Sequence, residues 1–182
     1  MKFLIRWTIP TLLLAAILHL SIAWLAPGLI SNIMAIWIRK DGGIGWNKSF
    51  RNSLPASDIS GLFISPDIIY SQAIYNVEKG PVRLHCAIPK TGNYWSVSLY
   101  DWNLANFFVE NDLTVPKPEF DLIITGSSTA RYQPRGNERV VVSPTTKGVV
   151  FTRAVVSSRE NKAELDLITA AQKKSAIELL VP

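Results

Sequence analysis

The stretch GPVRLHCAIPKTGNYWSVSLYDWNLANFFV, Gly80 to Val109, decides the fold. Val82, Leu84, Cys86 and Ile88 alternate with Arg83, His85 and Ala87, and Trp95, Val97 and Leu99 alternate with Tyr94, Ser96, Ser98 and Tyr100. Successive side chains of a strand point to opposite faces, so each run has one apolar and one mixed face. Between the runs, Pro89-Lys90-Thr91-Gly92-Asn93 supplies a fixed φ and then a residue free to take positive φ, which is turn chemistry. The expected structure is a hairpin in which Ile88 pairs with Asn93, Cys86 faces Trp95 and His85 faces Ser96, with a third strand after Asn103. Such a hairpin belongs at the centre of an antiparallel β-domain.

Working outward, Ser71 to Val77 reads as a strand that ends at the turn Glu78-Lys79-Gly80-Pro81, and Pro66-Asp67 opens a short helical turn toward Tyr70. Thr114 to Phe120 holds two prolines and is expected as extended loop. Asp121 to Thr125, Arg139 to Ser143 and Gly148 to Val156 are rich in β-branched residues between Gly, Ser, Asn or Pro clusters, which are strand signals. Ser158 to Lys174 changes period: Leu165, Ile168 and Gln172 share one helical face. Glu160 and Glu164 come early there and Lys173 and Lys174 late, the order that suits a helix dipole. Ile177 to Val181 returns as a last strand or docks as a tail. Ser57 to Ser65 fits no single pattern, and no internal repeat or low-complexity segment occurs.

The net charge of +5 suggests a nucleic-acid partner until its distribution is considered. Lys2, Arg6, Arg39 and Lys40 are basic and no acidic residue precedes Asp41; the remaining 15 basic residues face all 14 acidic ones. The excess flanks an apolar segment, so no phosphate-binding bias is left and nucleic acid is excluded as a partner class. That segment, Trp7 to Ile38, carries no Asp, Glu, Lys or Arg. Trp7 to Leu25 is long enough to cross a hydrocarbon core of about 30 Å, with Trp7 and Trp24 near its ends where indoles prefer the headgroups. His19 within it is read as a neutral imidazole. Lys2 and Arg6 set the N-terminus in the cytoplasm and the rest in the periplasm. The alternative is a secretory signal cut near Ala23, but the run exceeds the usual core of about 7–15 residues and a retained anchor is favoured. Pro27-Gly28 divides the segment, and Leu29 to Ile38 is too short to cross again. It lies at the membrane interface, packs on a partner through residues such as Ile33 and Trp37, or continues the anchor past a proline kink. Asp41 to Pro55 comes next as a loop.

Catalysis finds little support. His85, Ser96, Ser98 and Asp101 tempt toward a hydrolase; by parity His85 and the serines share a face while Asp101 points away. No Gly-x-Ser-x-Gly elbow is present, and an open sheet face offers no oxyanion hole. One cysteine and two distant histidines cannot furnish a closed structural zinc site, and no pattern asks for a cofactor. Cys86 has the apolar parity of a buried free thiol. Tyr94, Tyr100 and Trp102 with Asp101 and Asn103 are the candidate ligand-binding set, suited to stacking on a sugar ring. Against that, Trp95 has core parity, and Asp101 and Asn103 fit a turn cap through side-chain-to-backbone bonds.

The ordered set Asp67…Tyr70, Tyr75-Asn76, Gly80-Pro81, Pro89, Tyr94-Trp95, Leu99-Tyr100-Asp101 and Asn106-Phe107 resembles the bacterial family called domain of unknown function 1254. The likeness covers residues 55 to 112, and it departs at Asn76, where an Asp is expected after the aromatic. The resemblance implies a β-rich envelope domain and a companion, the domain of unknown function 1214; it carries no agreed catalytic residues. The expectation is thus a mainly β, antiparallel sandwich-like domain with one C-terminal helix, preceded by a transmembrane helix. Residues 1–40 are anchor and juxtamembrane helix, and residues 41–182 the periplasmic domain. A non-enzymatic envelope subunit bound to a second membrane-associated protein is favoured; a glycan or cell-wall ligand module, hydrolytic in its extreme form, is the alternative.

Overall fold

A computed structural model describes residues 2–52, 65, 67–115, 118–127, 132–135 and 138–180. The elements run in the order α1 (Lys2–Gly42), β1 (Arg51–Asn52), β2 (Ile68–Asn76), β3 (Val82–Ala87), β4 (Trp95–Asp101), β5 (Asn106–Asn111), β6 (Glu119–Gly126), β7 (Arg139–Ser143), β8 (Lys147–Val155), α2 (Lys162–Lys174) and β9 (Ala176–Leu179). The strands form two sheets, a five-stranded one in the order β1-β2-β8-β4-β5 and a four-stranded one in the order β7-β6-β3-β9. The described pairings are antiparallel except β6 with β7. A mainly β sandwich with one C-terminal helix and one long apolar N-terminal helix is what the sequence led one to expect.

The central hairpin does not form. β3 and β4 lie in different sheets, and the chain from Ile88 to Tyr94 crosses between them as an arch. The reason is edge occupancy. β3 is paired on one side to β6 and on the other to β9, and β4 to β8 and β5, so neither has an edge left for the other. Cys86 is opposite Phe120, His85 opposite Asp121 and Ala176, and Trp95 opposite Ala154. The arch is held at both feet: Ile88 N donates to Pro118 O (2.8 Å), Ala87 N to Ser175 Oγ (3.1 Å), and Trp95 N to Asp112 Oδ1 (3.0 Å). The facing parity survives the changed pairing. Val82, Leu84 and Cys86 meet Trp95, Val97 and Leu99 in one core, face to face across the sandwich rather than side by side. Each such side chain withdrawn from water contributes about 1.5–3 kcal/mol.

Tyr70 belongs to a nine-residue β2 that starts at Ile68, so strand replaces the expected helical turn; Pro66 and residues 57–64 lie outside the described residues. Glu119 and Phe120, expected in a loop, already pair in β6 with β3. The helix begins at Lys162 rather than Ser158 because Asn161 is its N-cap, accepting from Glu164 N (3.3 Å), while Glu164 accepts from Ser157 N and Oγ (2.8 Å each). Its predicted inner face is the observed one: Ile168 is buried, Leu165 packs on the core, and Gln172 Nε2 donates to Ser71 Oγ (3.0 Å). The last segment returns as β9.

Pro27-Gly28 does not divide the apolar segment: α1 is one helix through both Pro10 and Pro27. Arg6–Lys40 is long and apolar enough to cross a membrane or to act as a signal segment, with a mean hydropathy of 2.0. Pro27 removes one intrahelical bond. The part of α1 beyond Pro27 is seated on the domain: Ser31, Ala35 and Ile38, spaced along one face, are buried, and Ser31 Oγ donates to Trp102 O (2.7 Å). Ile38 packs with Ile44, Ile74 and Val149 on the outer face of the five-stranded sheet. Leu29 to Ile38 is therefore the continuation of the helix, half covered by its own domain.

Candidate functional site

The candidate residues of the second β-strand run fall at two ends of β4. Tyr94 precedes the strand and Asp101 closes it, so at about 3.3 Å per residue they are some 23 Å apart. Tyr94 is therefore not brought together with Asp101, Trp102 and Asn103.

Asp101 is buried, and its carboxylate works on the backbone: Oδ1 accepts from Asn103 N (2.8 Å) and Ala105 N (2.9 Å). Asp101 N donates to Ala105 O, and Leu104 N to Asp101 O, closing a turn in which Leu104 takes a left-handed φ of 63°. A side chain at such a φ costs energy that the four bonds offset. A register shift between Leu99 and Tyr100 accompanies the turn, with Asn106 Nδ2 donating to Leu99 O (3.1 Å).

Around this turn the structure gathers residues that sequence patterning did not. Trp102 N donates to Thr145 Oγ1 (2.9 Å), and Thr145 Oγ1 donates to Lys147 O (2.7 Å). The Trp102 and Trp46 rings are tilted with centroids 5.6 Å apart, and Lys147 Nζ lies 5.6 Å from the Trp46 ring and 6.0 Å from the Trp102 ring. Tyr75, fully buried, shares a 2.8 Å hydrogen bond with Ser143 Oγ and donates weakly to Tyr100 O (3.4 Å). Its ring lies directly over Gly148, where a β-carbon would overlap the hydroxyl. A glycine inside a strand signals such an approach, so Gly148 was open to inference from sequence; the Tyr75–Ser143 pair, 68 residues apart, was not. On the outer face of the same sheet Arg153 donates to Ser98 Oγ (2.9 Å) and Tyr100 Oη (3.2 Å), which uses Tyr100 to fix a cation.

The hydrolase combination is dispersed. Ser96 and Ser98 lie on the outer face of one sheet, whereas His85 lies on the outer face of the other, hydrogen-bonded through Nδ1 to Asp121 (2.9 Å). Among the described residues no cluster of three or more His, Cys, Asp or Glu side chains could hold a metal.

Two buried acids make stability depend on pH. Burial pushes the Tyr75 hydroxyl well above its ordinary 10.0, with the Ser143 hydrogen bond opposing and the Asp101 charge adding. Burial likewise pushes the Cys86 thiol far above 9.0, with Asp121 adding. Both are neutral in the fold and lose their protons sooner when unfolded. Their contribution is complete below pH 9 and is lost as pH rises through 9 and 10 toward the folded values. The urea midpoint should therefore fall above pH 10, and fall less in Tyr75→Phe. A midpoint unchanged through that window would mean that neither group is shielded.

The model of the family described as protein of unknown function (DUF1254) matches residues 48–178. The chain belongs to the DUF1254 family. No curated protein matches it. Its fold is similar to the crystal structure of the VPA0106 protein from Vibrio parahaemolyticus, with a TM-score of 0.62 at 13% identity over 87% of this chain. A weaker likeness, TM-score 0.47 at 10% identity over 74% of the chain, is to a putative uncharacterized protein from Burkholderia cenocepacia. The chain spans 37% of the Vibrio protein and 34% of the Burkholderia one. The DUF1254 match begins just after α1, so the family domain is the sandwich and its C-terminal helix.

Proposed function

We propose that this DUF1254 protein is a non-enzymatic subunit of the bacterial envelope, retained by α1 as a single-pass anchor with the sandwich in the periplasm. Its task is to bind a second membrane-associated protein, the one that carries the companion domain of unknown function 1214. One observation carries this. Past Pro27, α1 buries Ser31, Ala35 and Ile38 on its domain, yet the opposite side exposes Leu29, Ile33 and Ile36 by 62, 59 and 51%. A row of large aliphatic side chains beside a polar domain is the mark of a surface that is covered in use. The basic flank Lys2 and Arg6 supports the orientation.

Trp37 is a less discriminating member of that surface, because the Arg51 guanidinium already lies over its ring at 4.4 Å. Ile33→Ser combined with Ile36→Ser is the cleaner disruption. At about 1.5–3 kcal/mol for each side chain buried in the complex, the pair should weaken association by roughly a hundredfold or more. The companion should co-purify with the native chain from mild detergent and be lost with the double variant, whose urea midpoint stays at the native value. A native chain that remains monomeric while a co-expressed companion passes through unbound would end this reading.

A further inference from the structure

The helix that would cross the membrane enters the domain without a linker, and this fixes where the domain stands. Trp7 to Ala26 makes about 30 Å of helix, the thickness of the hydrocarbon core. Trp24, 83% exposed, then lies at the outer boundary. Ser31, five residues beyond Ala26 and so about 7.5 Å further along the axis, is bonded to Trp102 O. The headgroup layer extends about 5–8 Å beyond the hydrocarbon on each side. The Trp102 turn therefore stands at headgroup level.

The same contacts set the direction of the strands. Ser31 meets Trp102, at the very end of β4; Ile38, two turns on, meets Ile74 and Val149, which lie deeper in β2 and β8. Moving up the helix moves inward along the sheet. The ends at Asn76, Asp101 and Lys147 are nearest the span, and the end at Tyr94 and Val155 is farthest.

We infer that the β4–β5 turn, Trp102 to Ala105, with the β7–β8 turn at Pro144 to Lys147, forms a surface that rests on the phospholipid headgroups. This rests on α1 being the retained anchor. The chemistry suits the place. Asn103, Ala105, Pro144 and Thr146 are exposed there, neutral and short, and Lys147 with Trp46 and Trp102 forms a cationic, aromatic edge at the base of the helix. Indole rings and lysine are the side chains that suit a headgroup layer. Leu113, 88% exposed in the turn after β5, belongs to the opposite end of the sheet, where Asp112 is bonded to Trp95.

The test uses the full chain in nanodiscs of phosphatidylcholine and phosphatidylglycerol, with Asn103→Cys or Leu113→Cys carrying a thiol-linked fluorophore. Cys86 is buried and leaves the introduced thiol as the accessible one. Phosphatidylcholine with a spin label on its headgroup should quench position 103 by roughly twofold or more and leave position 113 unchanged, because only the first lies within the headgroup layer. Quenching at 113 but not at 103, equal quenching at both, or none at either would overturn the inference. Alkaline carbonate washing separates the two levels: a chain kept in the membrane pellet but unquenched at 103 refutes the contact alone. A chain released by the wash, with Trp24 as its first residue, refutes the anchor and the contact together.

Discussion

Trp95→Ala is expected to cost about 3–5 kcal/mol, the range for deleting a large buried aromatic. Trp95 is 3% exposed on β4, and its ring meets Phe120 of β6 edge-on, with centroids 6.3 Å apart and planes at 85°. It is a contact between the sheets rather than within one. It also lines a cavity of about 10 Å³ shared with Ile168 and Ala171 of α2, so deletion would enlarge an existing void that rigid strands cannot close. Tyr94→Ala, next in sequence and 46% exposed, should stay within about 0.5 kcal/mol. Urea unfolding monitored by circular dichroism compares the two. Equal losses would mean that the outer face carries a packed layer of its own at this end.

The second large effect is expected at Gly148. A β-carbon there would overlap Tyr75 Oη and Cζ and the carbonyl oxygen of Tyr100. Tyr75 is enclosed and bonded to Ser143, and the Tyr100 carbonyl belongs to the β4–β8 ladder, so neither can withdraw cheaply. Gly148→Ala should destabilise by about 1–3 kcal/mol or more, where an unstrained Gly→Ala normally gains about 0.4–1 kcal/mol. In a Tyr75→Phe background the loss should shrink, because one of the overlapping atoms is gone; the difference is the coupling between the two sites. A stabilised Gly148→Ala variant would contradict the close approach.

What the sequence disclosed was facing, and what it withheld was pairing. Period-two alternation identified Val82, Leu84, Cys86, Trp95, Val97 and Leu99 as inward-pointing, because that depends on each strand alone. Whether Pro89 to Asn93 folds a strand back beside itself or carries it to the opposite sheet depends on which strands claim the free edges. Those claimants, β6, β8 and β9, are distant in sequence. Gly92 with φ 76° serves an arch as readily as a hairpin. Pro27 misled for a related reason. A helix interior containing proline breaks on intrinsic preference, but Ser31, Ala35 and Ile38 find a seat on the domain, and tertiary packing overrides the local signal. At the candidate site Asp101 was legible as a cap, since it acts on residues two and four positions ahead. The Trp46–Trp102–Lys147 grouping was not, since it needs three separate segments to converge.

The late position of β8 has a consequence for how the chain matures. β2 and β4 are made early yet do not pair with each other; β8 lies between them and supplies the long ladder of each. β3 likewise waits for β9, among the last of the described residues. Long-range pairings of this kind fold slowly, because loop closure precedes any reward. A chain made N-terminus first therefore has β2, β3 and β4 present while their edges still wait for later partners. Such edges pair readily with neighbouring chains. The interval between the making of β4 and the making of β8 is thus the time of greatest aggregation risk.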